Sequence, residues 1–260
     1  MGGAGFACQS DARWAQIVAV ALQGVQSLQL SHFGRAKCER LGTLLSCPYS
    51  DDLRTLIATR LAGFDVLCRD AADLTRAAVS IVVVPLEAKS GPGETTEAAF
   101  LLTARARKLR AHAGQLALPG GRVDTGETIE QTALRELSEE LGITLDSTAI
   151  VGRLDDYPTR SGYLISPMVV WAPPGTSVTR NSAEVERIYR IPLAELRREE
   201  APEIFSIKES ERPVIRLFLP SLRGHVNAPT AAMLYQFREV ALEGRLTRVD
   251  HFDQPVFAWR

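Results

Sequence analysis

The chain has 260 residues, 45% of them hydrophobic, and a formal net charge of −1 from 30 basic and 31 acidic residues. This is enough apolar material for one well-buried domain with additions. The near-neutral balance excludes a global basic field for nucleic acid, and the longest apolar stretches, such as residues 17–22, fall far short of a membrane span.

Residues 1–50 are expected to form an extension, and 51–260 a single domain. The extension carries only Asp11 and Glu39 against Arg13, Arg35, Lys37 and Arg40. Three readings of it stay open: an acid-poor organellar transit peptide, an extra packed helix over 14–30, or a start codon placed upstream of the true one. No secretory signal of the usual form is present, so the expected location is the cytoplasm, with organellar targeting by 1–50 left open. Cys8, Cys38, Cys47 and Cys68 lack C-x-x-C spacing and read as free thiols of a reducing compartment.

Along the rest of the chain, 51–63 predicts a short helix and the β-branched run 78–85 a buried strand. Residues 87–97, with Gly91-Pro92-Gly93, predict a hairpin loop, and 98–105 the returning strand. Short strands follow at 115–118, 150–154 and 164–172, the last two separated by a turn over 159–163. A helix is expected over 192–198, a strand over 214–219, a helix over 230–243 and an edge strand over 256–259. Periodicity alone gives α+β or α/β.

The densest segment is 121–143, GRVDTGETIEQTALRELSEELGI. Pro119-Gly120-Gly121 breaks the chain before it, Asp124 or Thr125 can cap a helix, and Gly142 supplies a left-handed stop. Ile129, Ala133, Leu134, Leu137 and Leu141 recur at helical spacing as the apolar stripe. At about 100° per residue, Glu136, Glu139 and Glu140 share one face. Neighbouring carboxylates repel, and a hard divalent cation such as Mg²⁺ or Mn²⁺, which prefers oxygen ligands, would offset that cost.

The spacing is Gly121, five residues, Glu127, seven residues, Arg135-Glu136-Leu137, one residue, Glu139-Glu140, one residue, Gly142-Ile143. It resembles the complete Nudix box, with no departure in its signature positions. Residues 101–124, LLTARARKLRAHAGQLALPGGRVD, are similar to the signature preceding the box in the coenzyme A pyrophosphatase branch, with Leu118 where that branch usually has Phe. Thr159-x-Ser161-Gly162-Tyr163, Glu184-Val185 and Ile191-Pro192-Leu193 resemble the same branch. Asn227-Ala228-Pro229 stands where a Trp-Gly-like pair is usual, a departure that bears on substrate and not on chemistry. The resemblance covers residues 75–240 and implies a Nudix-type α/β/α sandwich with a mixed sheet, here with an N-terminal helical extension.

By that resemblance Glu136, Glu139 and Glu140 are the expected metal ligands, with the Gly120 backbone offering a carbonyl to the metal or an N–H to phosphate. Arg135 is expected to hold a box glutamate such as Glu127 in its rotamer. Glu139 and Glu184 both stand as candidates for the general base, and Glu184 equally as a further ligand. Arg105, Arg107, Lys108, Arg110 and His112 form a basic run suited to phosphate, and Ser161 and Tyr163 are expected to line the cleft. The implied reaction is metal-dependent hydrolysis of the diphosphate of coenzyme A or an acyl derivative, giving 3′,5′-ADP and 4′-phosphopantetheine. NADH, ADP-ribose or another nucleoside diphosphate derivative is the alternative substrate, and a non-catalytic Nudix-fold binding protein the alternative of another class. The partner expected is this small molecule, with no nucleic acid and no membrane; a homodimer is compatible with the sequence.

Overall fold

The computed structural model describes residues 46–70, 72–86, 96–106 and 115–258, all within one compact unit. Its centre is a mixed sheet built on β1 (Thr75–Pro85), an almost wholly buried β-branched strand. β1 runs parallel to β7 (Tyr163–Trp171), from Thr75 opposite Tyr163 to Val83 opposite Trp171. Its other edge changes partner. Ala77–Val79 pair antiparallel with β4 (Gly120–Arg122), and Val83–Pro85 with β2 (Ala98–Arg105). β2 also carries β3 (Leu116–Ala117) and β8 (Val185–Pro192), while β5 (Ile150–Arg153) and β6 (Tyr157–Pro158) pair with β7. A second sheet orders β11 (Gly224–Asn227), β10 (Ser210–Leu219) and β9 (Pro202–Ile207).

Strand alternation sends successive side chains to opposite faces, and both faces here are covered. Ile81, Val83, Phe100, Leu102, Val169 and Trp171 join one buried cluster with Ile57 and Leu61 of α1 (Asp51–Ala62) and Met233 and Phe237 of α4 (Thr230–Phe237). The intervening Val82, Leu101 and Val170 are equally buried and lie on the other side, with Leu137 and Leu141 of α2 (Ile129–Leu141). Ser80 on that side donates to the Ala133 carbonyl, which fixes α2 against β1. The result is the expected α/β/α sandwich. Among the described residues no helix is long and apolar enough to cross a membrane.

Several expectations are corrected. Thr128, not Asp124 or Thr125, caps α2. Its side chain accepts from the Gln131 N–H while Gln131 reaches back to the Thr128 N–H, a reciprocal capping box. The helix expected over 192–198 shrinks to α3 (Leu193–Leu196), because Pro192 still belongs to β8. The helix over 230–243 ends as α at Phe237 and continues as a π turn over Arg238–Leu242, whose last carbonyls accept from Arg60. Val256–Ala258 is a short 3₁₀ turn and not an edge strand. β8, β9 and β11 were not expected. The loop over 87–95 lies outside the described residues.

A buried ionic clasp holds the β6 approach. Asp156 accepts from Arg153 Nη2 and Ser166 Oγ at 2.6 Å and from the Arg69 N–H at 2.9 Å. Truncating one partner strands the other charge in the interior. Asp156→Ala is expected to lower unfolding free energy by about 3–5 kcal/mol, read from urea titration; a loss below about 1 kcal/mol would show the clasp to be dispensable.

Candidate active site

The 124–127 loop is organised around its carboxylates. Glu127 accepts from Arg135 Nε at 2.8 Å and Nη2 at 3.0 Å and from Thr132 Oγ1 at 2.8 Å. Those hydrogen bonds, Arg135 first, hold the Glu127 carboxyl down at a pKa of about 2. The same guanidinium gives Nη1 to Glu136 Oε1 at 2.8 Å and Glu139 Oε2 at 2.9 Å, and Nη2 to the Arg122 carbonyl at 3.1 Å. One arginine thus joins β4, the loop and two turns of α2, with its own pKa pushed further up by Glu127 and Glu136.

Glu136 and Glu140 lie against the glycines of β4, Glu136 while still in contact with Arg135. A Cβ on Gly121 would lie 2.2 Å from Glu136 Oε1, so this position leaves the opening that the carboxylate fills. Gly120 adopts φ 153° against β1, where a Cβ would lie 2.2 Å from the Ala78 carbonyl oxygen, and its N–H donates to Glu140 Oε2 at 3.3 Å. Glu140 is only 5% exposed. Burial, then the charge of Glu136, raises its pKa to about 7, with Arg105 opposing. Burial also raises Glu136, with Arg135 opposing and the charges of Glu139 and Glu184 adding to the rise.

These groups sit in a cleft of about 760 Å³, a size suited to a small-molecule site. Glu136, Glu140, Glu184, Gly120, Gly121 and Arg105 line it, and so do Ser161 and Tyr163 of the 159–163 turn. Arg105 Nε is buried and, among the described residues, has no hydrogen-bond partner. Glu127 does not line the cleft, and neither does Glu139, whose side chain is 51% exposed on Arg135. Arg107, Lys108, Arg110 and His112 lie outside the described residues. Gly120, expected to serve through its backbone, here orients Glu140.

Among the described residues no three His, Cys, Asp or Glu side chains already converge as a metal cage. The reason is local: Arg135 draws Glu139 outward and shares Glu136. The donor set nevertheless fits a hard divalent cation. It is all oxygen, Glu140 is buried and Glu136 partly so, and burial first of all holds both above their ordinary pKa.

Three parts of the cleft carried no sequence signal. Arg122 donates Nη2 to Tyr163 Oη at 2.6 Å and lies over that ring at 5.5 Å from its centroid. His225, Val226 and Met233 close one wall, and Gln254 and Phe257 arrive from the end of the chain. Asn227-Ala228-Pro229, the departure from the family pattern, lies in the same wall.

The raised Glu140 pKa has a sign that can be tested without metal. The folded protein holds this proton more tightly than the unfolded chain, whose carboxyl titrates near 4.5. Stability from the protonated acid is therefore fully present below about pH 4.5 and is lost as pH rises through about 7. In a chelator, Glu140→Gln is expected to be more stable than wild type by about 1–3 kcal/mol at pH 8 and nearly equal at pH 5. Thermal melts at the two pH values that show the same difference would refute the burial account.

Known proteins bear on the reading as follows. A Photorhabdus laumondii protein named "Uncharacterized Nudix hydrolase NudL" is 41% identical over 115 residues, covering 44% of this chain and 58% of its own. The NudL protein of Klebsiella pneumoniae strain 342 is 37% identical over 115 residues, covering 44% and 57%. The chain thus spans a little over half the length of these curated relatives. A solved MutT/nudix family protein from Enterococcus faecalis covers 62% of this chain and 57% of its own at 15% identity and a TM-score of 0.40, too distant to carry weight. The NUDIX domain matches residues 75–218, from β1 into β10 and over more than half of the sequence, and on that match the chain belongs to the Nudix family.

Proposed function

We propose that this chain hydrolyses the diphosphate bond of a nucleoside diphosphate derivative with Mg²⁺ or Mn²⁺, and that coenzyme A or an acyl derivative is the substrate. The observation that carries the reading is that Glu136, Glu140 and Glu184 line one cleft together with Gly120, Gly121 and Arg105. The coenzyme A assignment rests on the resemblance around the box and on Arg105, whose buried Nε has no hydrogen-bond partner among the described residues.

A diphosphate resists attack because its own charge repels a nucleophile. A cation held by Glu136 and Glu140 would neutralise that charge and make a bound water more acidic. Glu139 joins those ligands only by leaving Arg135. Arg105 sets a guanidinium beside the phosphate position and opposes the charge of Glu140. Glu184 faces the cleft whereas Glu139 does not, so Glu184 accepts the proton of the attacking water. Arg135 and Glu127 position the helix face and do not touch the substrate.

Incubation of the purified protein with coenzyme A and Mg²⁺ or Mn²⁺ is expected to release 3′,5′-ADP and 4′-phosphopantetheine, and EDTA to abolish release. Glu136→Gln is expected to lower turnover by several orders of magnitude, and Glu184→Gln by about 10²–10⁴-fold. Cleavage of NADH or ADP-ribose in preference to coenzyme A would move the substrate to the alternative. Full turnover by a folded Glu184→Gln protein would remove it as the base.

A further inference from the structure

The family match ends at residue 218, yet the cleft continues into residues 225–230, 233, 254 and 257. This wall belongs to the chain's own C-terminal segment, which is fastened firmly. Asp253 bridges to Val214 of β10, gives its N–H to the Pro213 carbonyl at 2.7 Å and accepts from Ser210 Oγ at 2.6 Å. Arg160 Nε pairs with the same carboxylate at 2.9 Å, and the Tyr157 hydroxyl donates to the Phe252 carbonyl at 2.9 Å. The segment then turns through Gln254, whose side-chain oxygen accepts from the Arg160 N–H at 2.9 Å, and delivers Phe257 to the cleft.

Phe257 is 56% exposed, an unusual state for a large aromatic held on an anchored turn. Asn227 lines the same cleft, and among the described residues its carboxamide has no hydrogen-bond partner. Both reach the cleft from partners of β10: Asn227 pairs with Arg216, and Asp253, which precedes Phe257 on the anchored segment, bridges to Val214. An aromatic face and a carboxamide are two elements that recognise a planar heterocycle. The ring stacks, and the amide gives one donor and one acceptor to an edge such as the N6/N7 edge of adenine.

We propose that Phe257 and Asn227 form the nucleobase subsite of this cleft, Phe257 stacking on the ring and Asn227 reading an adenine-type edge. The proposal rests on the diphosphate reading of the cleft carboxylates and assigns the base to cleft residues outside the matched family region. It makes Phe257 and Asn227 specificity-determining residues without a part in the chemistry.

The test is calorimetric titration of ADP, UDP and inorganic pyrophosphate into the full chain with Mg²⁺. Wild type is expected to bind ADP more tightly than UDP. Phe257→Ala is expected to weaken ADP about 10- to 100-fold and pyrophosphate less than twofold, with Phe257→Leu close to Phe257→Ala because bulk does not replace a π face. Asn227→Ala is expected to bring ADP and UDP to within about twofold of each other. Unchanged ADP affinity in Phe257→Ala, or an equal loss of pyrophosphate, would overturn the subsite while leaving the diphosphate reading in place. Failure of wild type to bind either ADP or pyrophosphate would overturn both.

Discussion

The site depends on how a single guanidinium shares itself among carboxylates. Glu127, Glu136 and Glu139 all contact Arg135, and the Arg122 carbonyl takes its remaining direction. Without that cation, the 124–127 loop keeps only the Thr132 hydroxyl as a side-chain anchor of Glu127 to α2 among the described residues, and the box carboxylates repel one another. With it, the acids are sorted. Glu127 becomes a permanently ionised strut, Glu139 is held toward solvent, and Glu136 and Glu140 are left to face the cleft under-compensated. The first arrangement stabilises the fold; the second stores a demand for positive charge where a diphosphate would need it.

The fold supplies the opening through which that demand is expressed. β1 pairs with β4 at one end and β2 at the other, and the two glycines of β4 sit at the change of partner. A side chain at Gly121 would occupy the Glu136 carboxylate position, and one at Gly120 would collide with the β1 backbone. Helix α2 packs on one face of the sheet, yet its acids reach a cleft lined by Ala77, Val79 and Ile165, whose odd-numbered register is that of the opposite face. Bare backbone at 120–121 is what makes that reach geometrically available.

Legibility in the sequence followed the range of the interactions. Strand 98–105 and the body of α2 were readable because runs of buried residues and the Gly142 stop are local signals. The helix start was misplaced because Asp124 and Glu127 close a turn of their own, with the Glu127 N–H donating to the Asp124 carbonyl, so the cap moves on to Thr128. β8 was missed because only Val185 and Ile191 of its residues are buried, which blurs the alternation. Residues 256–259 have strand-like composition, but among the described residues the ladder contact of this segment is made earlier, at Asp253, and Pro255 then removes a donor. The motif acids were nameable from spacing, whereas their sorting by Arg135 is a matter of rotamers. The Phe257 and Asn227 wall depends on the order of strands around β10, which no local pattern encodes.

Glu136 and Glu140 line one cleft, and whether they hold a divalent cation there can be measured. Electron paramagnetic resonance titration of Mn²⁺ reads this directly, because bound ion loses the six-line signal of the free ion. Saturable loss of that signal is expected with the wild-type chain, and its return when Glu136 and Glu140 are both replaced by Gln in a protein that still folds. Equal Mn²⁺ binding by wild type and the double variant would contradict it.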